Sequence, residues 1–188
     1  MKALALFGLI GSLATAQAEE AQSKTTSAPA TAEEVTSSPL IQELQTAMLV
    51  QKKDGAFKED AQVSSEDKYY AFYFSAHWCP PCREFSPILA KFYKDNYGKA
   101  KQPFDIVFVS SDKNDQAMKA YVDEAGMGFK VAPYKSELGE KLKASYATRY
   151  LPTLTIVDNK GNVVSKPYGD DNKNIYDVLE ELKKLINE

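Results

Sequence analysis

The sequence predicts an α/β fold, in which a central mixed β-sheet is flanked by helices on both faces. Residues 69–75 are a continuous aromatic run and residues 104–110 a second short, mostly apolar segment, both rich in strand-forming side chains, as expected of strands buried on both faces. Segments whose apolar residues recur at helical spacing lie before, between and after these two runs. Two further strands, at 153–157 and 162–165, are joined by a turn at 158–161. Helices that alternate with buried strands before a closing hairpin indicate a mixed sheet covered on both sides.

Apolar spacing and end signals predict five helices. The first begins at Ser38-Pro39, an N-cap followed by a proline, and Asp54-Gly55 either ends it or turns the chain into a short strand near Phe57. Pro87 lies inside the second helix, which it is expected to kink. The other four helices are expected over residues 80–97, 114–125, 136–146 and 173–187.

Size and composition fit one soluble domain with appendages. The chain has 188 residues, of which 44% are apolar and 26% charged. Its net charge is −3, and no run of Lys or Arg exceeds two residues. Phosphate binding needs a clustered basic surface, so the composition argues against nucleic acid as a partner.

The first 18 residues resemble a secretory signal peptide. A positive start at Met1-Lys2 precedes a mostly apolar stretch over 3–14, and Ala16-Gln17-Ala18 is a small-residue cleavage site. The stretch is shorter than the roughly 20 residues of a membrane span, so no stable membrane insertion is expected after the signal is removed. Residues 19–38 have the composition of a disordered linker. We therefore expect a folded domain over 39–188 in the periplasm or secreted, where disulfides persist.

The only two cysteines, Cys79 and Cys82, are placed for redox chemistry. Cys79 follows a predicted strand and a short turn, where the next helix begins. Unpaired N–H groups and the helix dipole stabilise a thiolate at that position. Cys82 lies one helical turn further on the same face. The spacing predicts that Cys79 attacks a substrate disulfide and that the more buried Cys82 then attacks Cys79, which releases the reduced substrate.

The two residues between the cysteines are expected to limit this stabilisation. Neither Pro80 nor Pro81 has an N–H, so the Cys82 amide is the main donor left for the Cys79 sulfur. We therefore expect only a moderately lowered Cys79 pKa, well above the value of about 3.5 found in strong oxidases, and a reducing or intermediate potential.

Other interpretations of the cysteine pair are weaker. A structural zinc site needs four ligands, and His77 is the only other soft donor in the chain. We therefore expect no metal and no other cofactor. Copper handling and a binding role without turnover stay open as alternatives. An inert packing pair is disfavoured because the motif sits at a strand-to-helix turn.

Residues 73–85, with Trp-Cys-Pro-Pro-Cys-Arg at 78–83, resemble the thioredoxin superfamily and most closely its tryparedoxin and nucleoredoxin branch. Pro87 matches the family's helix-kinking proline. The segment 150–154, Tyr-Leu-Pro-Thr-Leu, is similar to the family's cis-proline loop. The resemblance extends from about residue 40 to 188 and implies a thioredoxin-like fold.

The resemblance also implies roles for residues around the cysteines. Pro152 is expected to be cis and to pack beside Cys79, and the Leu151 backbone to pair with an extended substrate chain. Trp78 is expected to cover the sulfurs and shape the docking surface, with a core aromatic as the alternative. Tyr73 stands where many thioredoxins carry a buried Asp, so proton transfer involving Cys82 must use another group or water.

The sequence does not decide the roles of three charged or titratable residues next to the cysteines. Glu84 is a candidate proton acceptor, although a surface carboxylate is the stronger expectation. His77 is expected to face solvent, and Arg83 to support the thiolate electrostatically.

Together with the signal, the resemblance implies an exported, bacterial-type thiol–disulfide oxidoreductase. It would reduce disulfide-containing protein substrates and be re-reduced by a membrane thiol reductase. An oxidase or isomerase role for the same site remains the alternative.

Overall fold

The computed structural model of the protein describes residues 38–47, 49–53, 56–169 and 171–188. The predicted signal peptide at 1–18, the linker up to residue 37, and Asp54-Gly55 lie outside these described residues. The predicted domain boundary and leader therefore stay predictions.

Seven strands of the described residues form one mixed sheet. The strands are β1 (Leu49–Lys53), β2 (Ala56–Ala61), β3 (Tyr69–Ser75), β4 (Phe104–Ser110), β5 (Lys130–Val131), β6 (Thr153–Asp158) and β7 (Val163–Ser165). Their order across the sheet is β2-β1-β5-β4-β3-β6-β7. The central strand β3 pairs in parallel with β4 and antiparallel with β6, which confirms the mixed sheet.

Five helices of the described residues accompany the sheet: α1 (Pro39–Thr46), α2 (Pro80–Asn96), α3 (Asp115–Glu124), α4 (Glu137–Tyr146) and α5 (Ile175–Leu185). The predicted Ser38 cap is confirmed, because its hydroxyl accepts an N–H group of α1 at 3.3 Å, and Ser136 caps α4 in the same way at 3.1 Å. Asn174 begins α5 with a capping box shared with Asp177.

Helices cover both faces of the sheet, as predicted. Side chains of β3 alternate between two hydrophobic clusters: Tyr73 faces one, and Phe72 and Phe74 face the other. The first cluster contains buried side chains of α2, α3 and α5, and the second those of α1 and α4. Burial on both faces explains why most residues of β3 and β4 are apolar or aromatic.

The structure differs from the prediction between the first helix and β3. The helix ends at Thr46, with Ala47 extended, and the chain then forms the antiparallel hairpin β1–β2. The prediction that the first helix extends to Asp54-Gly55 was therefore wrong, and a single short strand near Phe57 was an incomplete prediction. The two-residue strand β5 was missed altogether, since it exists only through pairing with β1 and β4. The β1–β2 hairpin and β5 depend on pairing with strands distant in sequence, and the local strand propensity does not reveal which strands pair.

No helix among the residues described here has the length and apolar character needed to cross a membrane.

Candidate redox site

Three chain segments meet at one edge of the sheet. Ser75 at the end of β3 pairs in parallel with Ser110 at the end of β4, and Phe74 pairs antiparallel with Thr153 at the start of β6. The turn 76–79 that leads to the cysteines, the loop after β4 and the segment before β6 therefore share this edge.

Cys79 is the N-cap of α2, and its backbone is still extended. Its N–H donates to the Ala76 carbonyl at 3.2 Å, which closes the turn from β3 into the helix. A disulfide joins Cys79 to Cys82, whose Cα atoms are 5.2 Å apart. Cys79 is 5% exposed, whereas Cys82 is fully buried. The structure thus describes the oxidised form of the pair, with an outer and an inner cysteine.

The first two residues of α2 are Pro80 and Pro81, so they present no N–H groups to the sulfurs. The Cys79 side chain accepts no hydrogen bond from the helix start. The Arg83 N–H donates to the Cys79 carbonyl at 3.2 Å, and the Arg83 side chain is exposed. The stabilisation available to a Cys79 thiolate is therefore limited.

Trp78 and the segment before β6 occupy the rim of the site. Trp78 is 56% exposed, and its indole N–H donates to the Ser111 carbonyl at 3.0 Å, which rules out the core-aromatic alternative. The Leu151–Pro152 peptide bond is cis, as the resemblance implied, and Pro152 is buried. Within the described part of the chain, no hydrogen bond occupies the Leu151 backbone. Leu151 is half-buried.

A family of proteins described as thioredoxin-like matches residues 67–163, which is more than half of the chain. The chain belongs to the thioredoxin-like family. Its tryparedoxin- and nucleoredoxin-like character is also supported. Nucleoredoxin from Mus musculus is 36% identical over 104 residues, covering 55% of this chain and 23% of that protein. Tryparedoxin from Trypanosoma brucei brucei is 34% identical over 89 residues, covering 46% of this chain and 58% of that protein. The chain thus spans about a quarter of the length of that nucleoredoxin.

Solved structures support the same fold. Thioredoxin from Wuchereria bancrofti superposes with a TM-score of 0.57 at 35% identity, covering 76% of this chain and 98% of that one. Tryparedoxin II from C. fasciculata gives a TM-score of 0.54 at 31% identity, covering 67% and 84%. The thioredoxin-like fold is confirmed. Proteins of this family are thiol–disulfide oxidoreductases that act on disulfide-containing substrates.

Behind the disulfide of this thioredoxin-like domain lies a buried network of hydroxyl groups. The Tyr73 hydroxyl is 2.7 Å from the Ser86 Oγ and donates to the Cys82 carbonyl at 3.5 Å. Ser86 Oγ is 2.6 Å from the Tyr121 hydroxyl, which lies 3.1 Å from Ser75 Oγ. Burial, with the nearby Tyr121, raises the pKa of Tyr73 well above its ordinary value. Tyr73 therefore stays neutral and does not replace a buried aspartate as a base.

Glu84 and His77, which flank the cysteine motif, lie in different surroundings. Glu84 is exposed, in agreement with a surface carboxylate. The His77 side chain is 37% exposed: one side of its ring packs against Tyr121 at 5.4 Å between centroids, and its Nε2 lies 2.8 Å from the exposed Glu124 carboxylate. The His77 backbone N–H donates to Asp112 at 2.8 Å. The sequence analysis did not single out Asp112, because an Asp after a strand usually indicates only a turn.

An aromatic and basic cavity lies beside the cis-proline segment. It has a volume of about 390 Å³, and its walls include Arg149, Tyr150, Lys166 and Tyr168. The Tyr150 and Tyr168 rings meet edge to face at 5.2 Å, and the Arg149 guanidinium lies 5.1 Å from the Tyr150 ring centre. No described acidic side chain lines it. Sequence reasoning missed this cavity, although the exposed tyrosine next to Leu151 was a signal.

Across the described ranges, no group of three or more His, Cys, Asp or Glu side chains is arranged to hold a metal ion.

Proposed function

We propose that this thioredoxin-like protein reduces disulfide bonds of protein substrates outside the cytoplasm, with Cys79 as nucleophile and Cys82 as resolving cysteine. The observation that carries the proposal is the unequal burial of the pair: the helix-capping Cys79 is the outer residue, and Cys82 is fully buried. A cysteine that keeps a small exposed fraction beside one that is fully buried suits a reaction in which an external disulfide meets only the first.

The reaction transfers two electrons in two exchanges. The Cys79 thiolate attacks one sulfur of the substrate disulfide, and the other substrate sulfur leaves as a thiolate. The Cys82 thiolate then attacks the Cys79 sulfur and breaks the mixed disulfide, which frees the second substrate thiolate. The substrate is reduced to a dithiol, and the protein returns to the Cys79–Cys82 disulfide of the structure.

The helix start supports the reducing direction. A disulfide becomes a stronger oxidant when its reduced thiolate form is stabilised. Pro80 and Pro81 remove two N–H donors from the tip of α2, so less stabilisation reaches a Cys79 thiolate. A potential nearer −270 mV than −120 mV is expected, and a value near −120 mV would assign the site to oxidation instead.

The rim of the site supports polypeptide substrates. Exposed Trp78 and Tyr150 provide large rigid surfaces of the kind that anchor protein contacts. The open Leu151 backbone suits pairing with an extended chain. One solved structure is tryparedoxin II in complex with glutathionylspermidine, so a small thiol compound is the substrate class to test as the rival.

The extracytoplasmic setting is supported by the signal-like pattern of residues 1–18. Each turnover leaves Cys79 and Cys82 oxidised, so a protein working outside the cytoplasm needs a source of electrons across the membrane. We assign that role to a membrane thiol reductase. Mass spectrometry of the purified cellular protein tests the export step: an N-terminus at Glu19 supports it, and an intact Met1 contradicts it.

The test of the activity is reduction of insulin disulfides by the full chain, with Cys79→Ser and Cys82→Ser as a matched pair. Both variants are expected to lose turnover, but only Cys82→Ser retains the outer sulfur and traps a mixed disulfide with the substrate. Wild-type protein that reduces a small disulfide but not insulin would overturn the choice of protein substrates. Equal trapping by both variants would overturn the assignment of roles.

A further inference from the structure

The turn that carries Trp78 and Cys79 is held almost entirely by the chain that follows β4. The Ser111 N–H donates to the Ser75 carbonyl at 2.9 Å, and the Ser111 carbonyl accepts the Trp78 indole N–H at 3.0 Å. Glu124 of α3 pairs with the His77 ring from the same side. The position of the nucleophile therefore depends on how this loop is fixed.

Asp112 is the residue that fixes the loop to the turn. It is 8% exposed, and its two carboxylate oxygens accept from different segments. Oδ1 accepts the His77 N–H at 2.8 Å, and Oδ2 accepts the Ser110 hydroxyl at 2.8 Å. The Asp112 N–H donates back to the Ser110 Oγ at 2.9 Å, and its carbonyl accepts the Tyr134 hydroxyl at 3.2 Å. These contacts leave the side chain one conformation.

We propose that Asp112 is a positioning residue of the redox site, which anchors the turn before Cys79 and places a buried carboxylate beside that turn. The anchor acts through the His77 N–H, two residues before the nucleophile. With Oδ1 in place, the turn closes through the Cys79 N–H and the Ala76 carbonyl, which fixes the backbone of Cys79 at the start of α2. Asp112 itself touches no reacting atom.

The charge of Asp112 opposes formation of the thiolate. Oδ1 lies 2.8 Å from the His77 nitrogen. Two Cα–Cα steps of 3.8 Å then reach Cys79, so the carboxylate is at most about 12 Å from the Cys79 Cα. At an effective dielectric constant of about 20, with partial screening by salt, the repulsion amounts to roughly half a pKa unit. Removing the charge lowers the Cys79 pKa and makes the protein a weaker reductant.

Two variants of the full chain distinguish the anchoring of the turn by Asp112 from the effect of its charge. Asp112→Asn removes the charge but keeps an oxygen for the His77 N–H, and Asp112→Ala removes both. Asp115→Asn is the control: it removes the same charge from the start of α3, where Asp115 is exposed and paired with Lys119 at 2.9 Å. The readouts are the Cys79 pKa, from the pH dependence of its alkylation in reduced protein, and the equilibrium with glutathione.

For Asp112→Asn we expect a Cys79 pKa lower by about half a unit and a glutathione equilibrium shifted about threefold towards the dithiol. Asp115→Asn should change neither. Asp112→Ala should also slow disulfide reduction about tenfold or more, because the nucleophile loses its fixed geometry.

Two results would overturn the proposal. One is an equal pKa shift in Asp112→Asn and Asp115→Asn, which would reflect net charge alone. The other is an unchanged Cys79 pKa in Asp112→Asn with a normal circular dichroism spectrum. The proposal concerns the site assigned above, but its readouts need no protein substrate. A wild-type chain inactive on insulin would thus defeat the proposed function and leave this test intact.

Discussion

Asp67 gives the stability of this protein an unusual dependence on pH. The residue is 5% exposed, and its Oδ2 accepts the Ser64 N–H at 3.1 Å. Burial and the nearby Asp105 carboxylate raise the pKa of Asp67 from 3.8 to about 7, and the Ser64 contact only partly opposes this. Replacing Asp67 with Asn keeps the shape and the acceptor oxygen and removes the titration.

The direction in which the unfolding free energy changes with pH follows from proton uptake by the folded chain. The folded pKa is raised, so between about pH 4 and pH 7 folded Asp67 keeps a proton that the unfolded chain has lost. The unfolding free energy therefore falls as pH rises through this window, and the Asp67 contribution is fully present only below about pH 4. A shift from 3.8 to about 7 corresponds to about 4 kcal/mol at most.

Urea unfolding followed by circular dichroism from pH 4 to pH 8 measures this effect. The difference in unfolding free energy between Asp67→Asn and wild type is expected to grow with pH, by up to about 4 kcal/mol, in favour of the variant. Asp95→Asn serves as the control, because Asp95 is exposed and paired with Lys91 at 2.5 Å. A difference that is constant across the pH range would refute the reasoning.

Three further substitutions test separate parts of the account. Lys130→Met should lower the unfolding free energy by about 3–5 kcal/mol in urea titrations, because it leaves the fully buried Asp105 without its ion-pair partner. The double variant Lys130→Met/Asp105→Leu should regain most of this loss. Asn174→Ala should cost about 1 kcal/mol in the same assay through loss of the capping box of α5, and no change would contradict that role. Trp78→Ala should lower kcat/KM for insulin about tenfold and leave reduction of a small aromatic disulfide nearly unchanged, and equal losses on both would refute a docking role.

The central strands were the easiest part of the fold to predict. β3 and β4 match their predicted limits of 69–75 and 104–110, because a strand buried on both faces is apolar at most of its positions. The Ser38 cap was predictable for a local reason, since its side chain accepts an N–H group of its own first turn, and Ser136 and Asn174 cap α4 and α5 in the same way.

Long-range pairing explains what the sequence did not reveal about the fold. The apolar spacing of α1 continues past Thr46, so nothing local shows that β1 begins at Leu49. β5 has two residues, and only its neighbours in the sheet define it as a strand. Elements of this kind depend on the assembled sheet.

The candidate site also has one part that the local sequence predicts and another that depends on distant residues. The order of strand, turn and helix was enough to place Cys79 at a helix start with Cys82 behind it. The partners of the turn come from residues far along the chain: Asp112 is 35 positions from the His77 N–H that it accepts. A burial pattern predicts that such a polar residue needs a partner, but it does not identify the partner.

The central claim is that the outer cysteine reacts and the inner one resolves. Its most direct test is alkylation of the fully reduced protein by iodoacetamide at pH 7, with each cysteine followed separately by peptide mass spectrometry. The unequal burial of the pair predicts that Cys79 is modified at least about ten times faster than Cys82, as expected for the less buried cysteine at a helix start. Equal rates at the two cysteines, or faster modification of Cys82, would contradict the account.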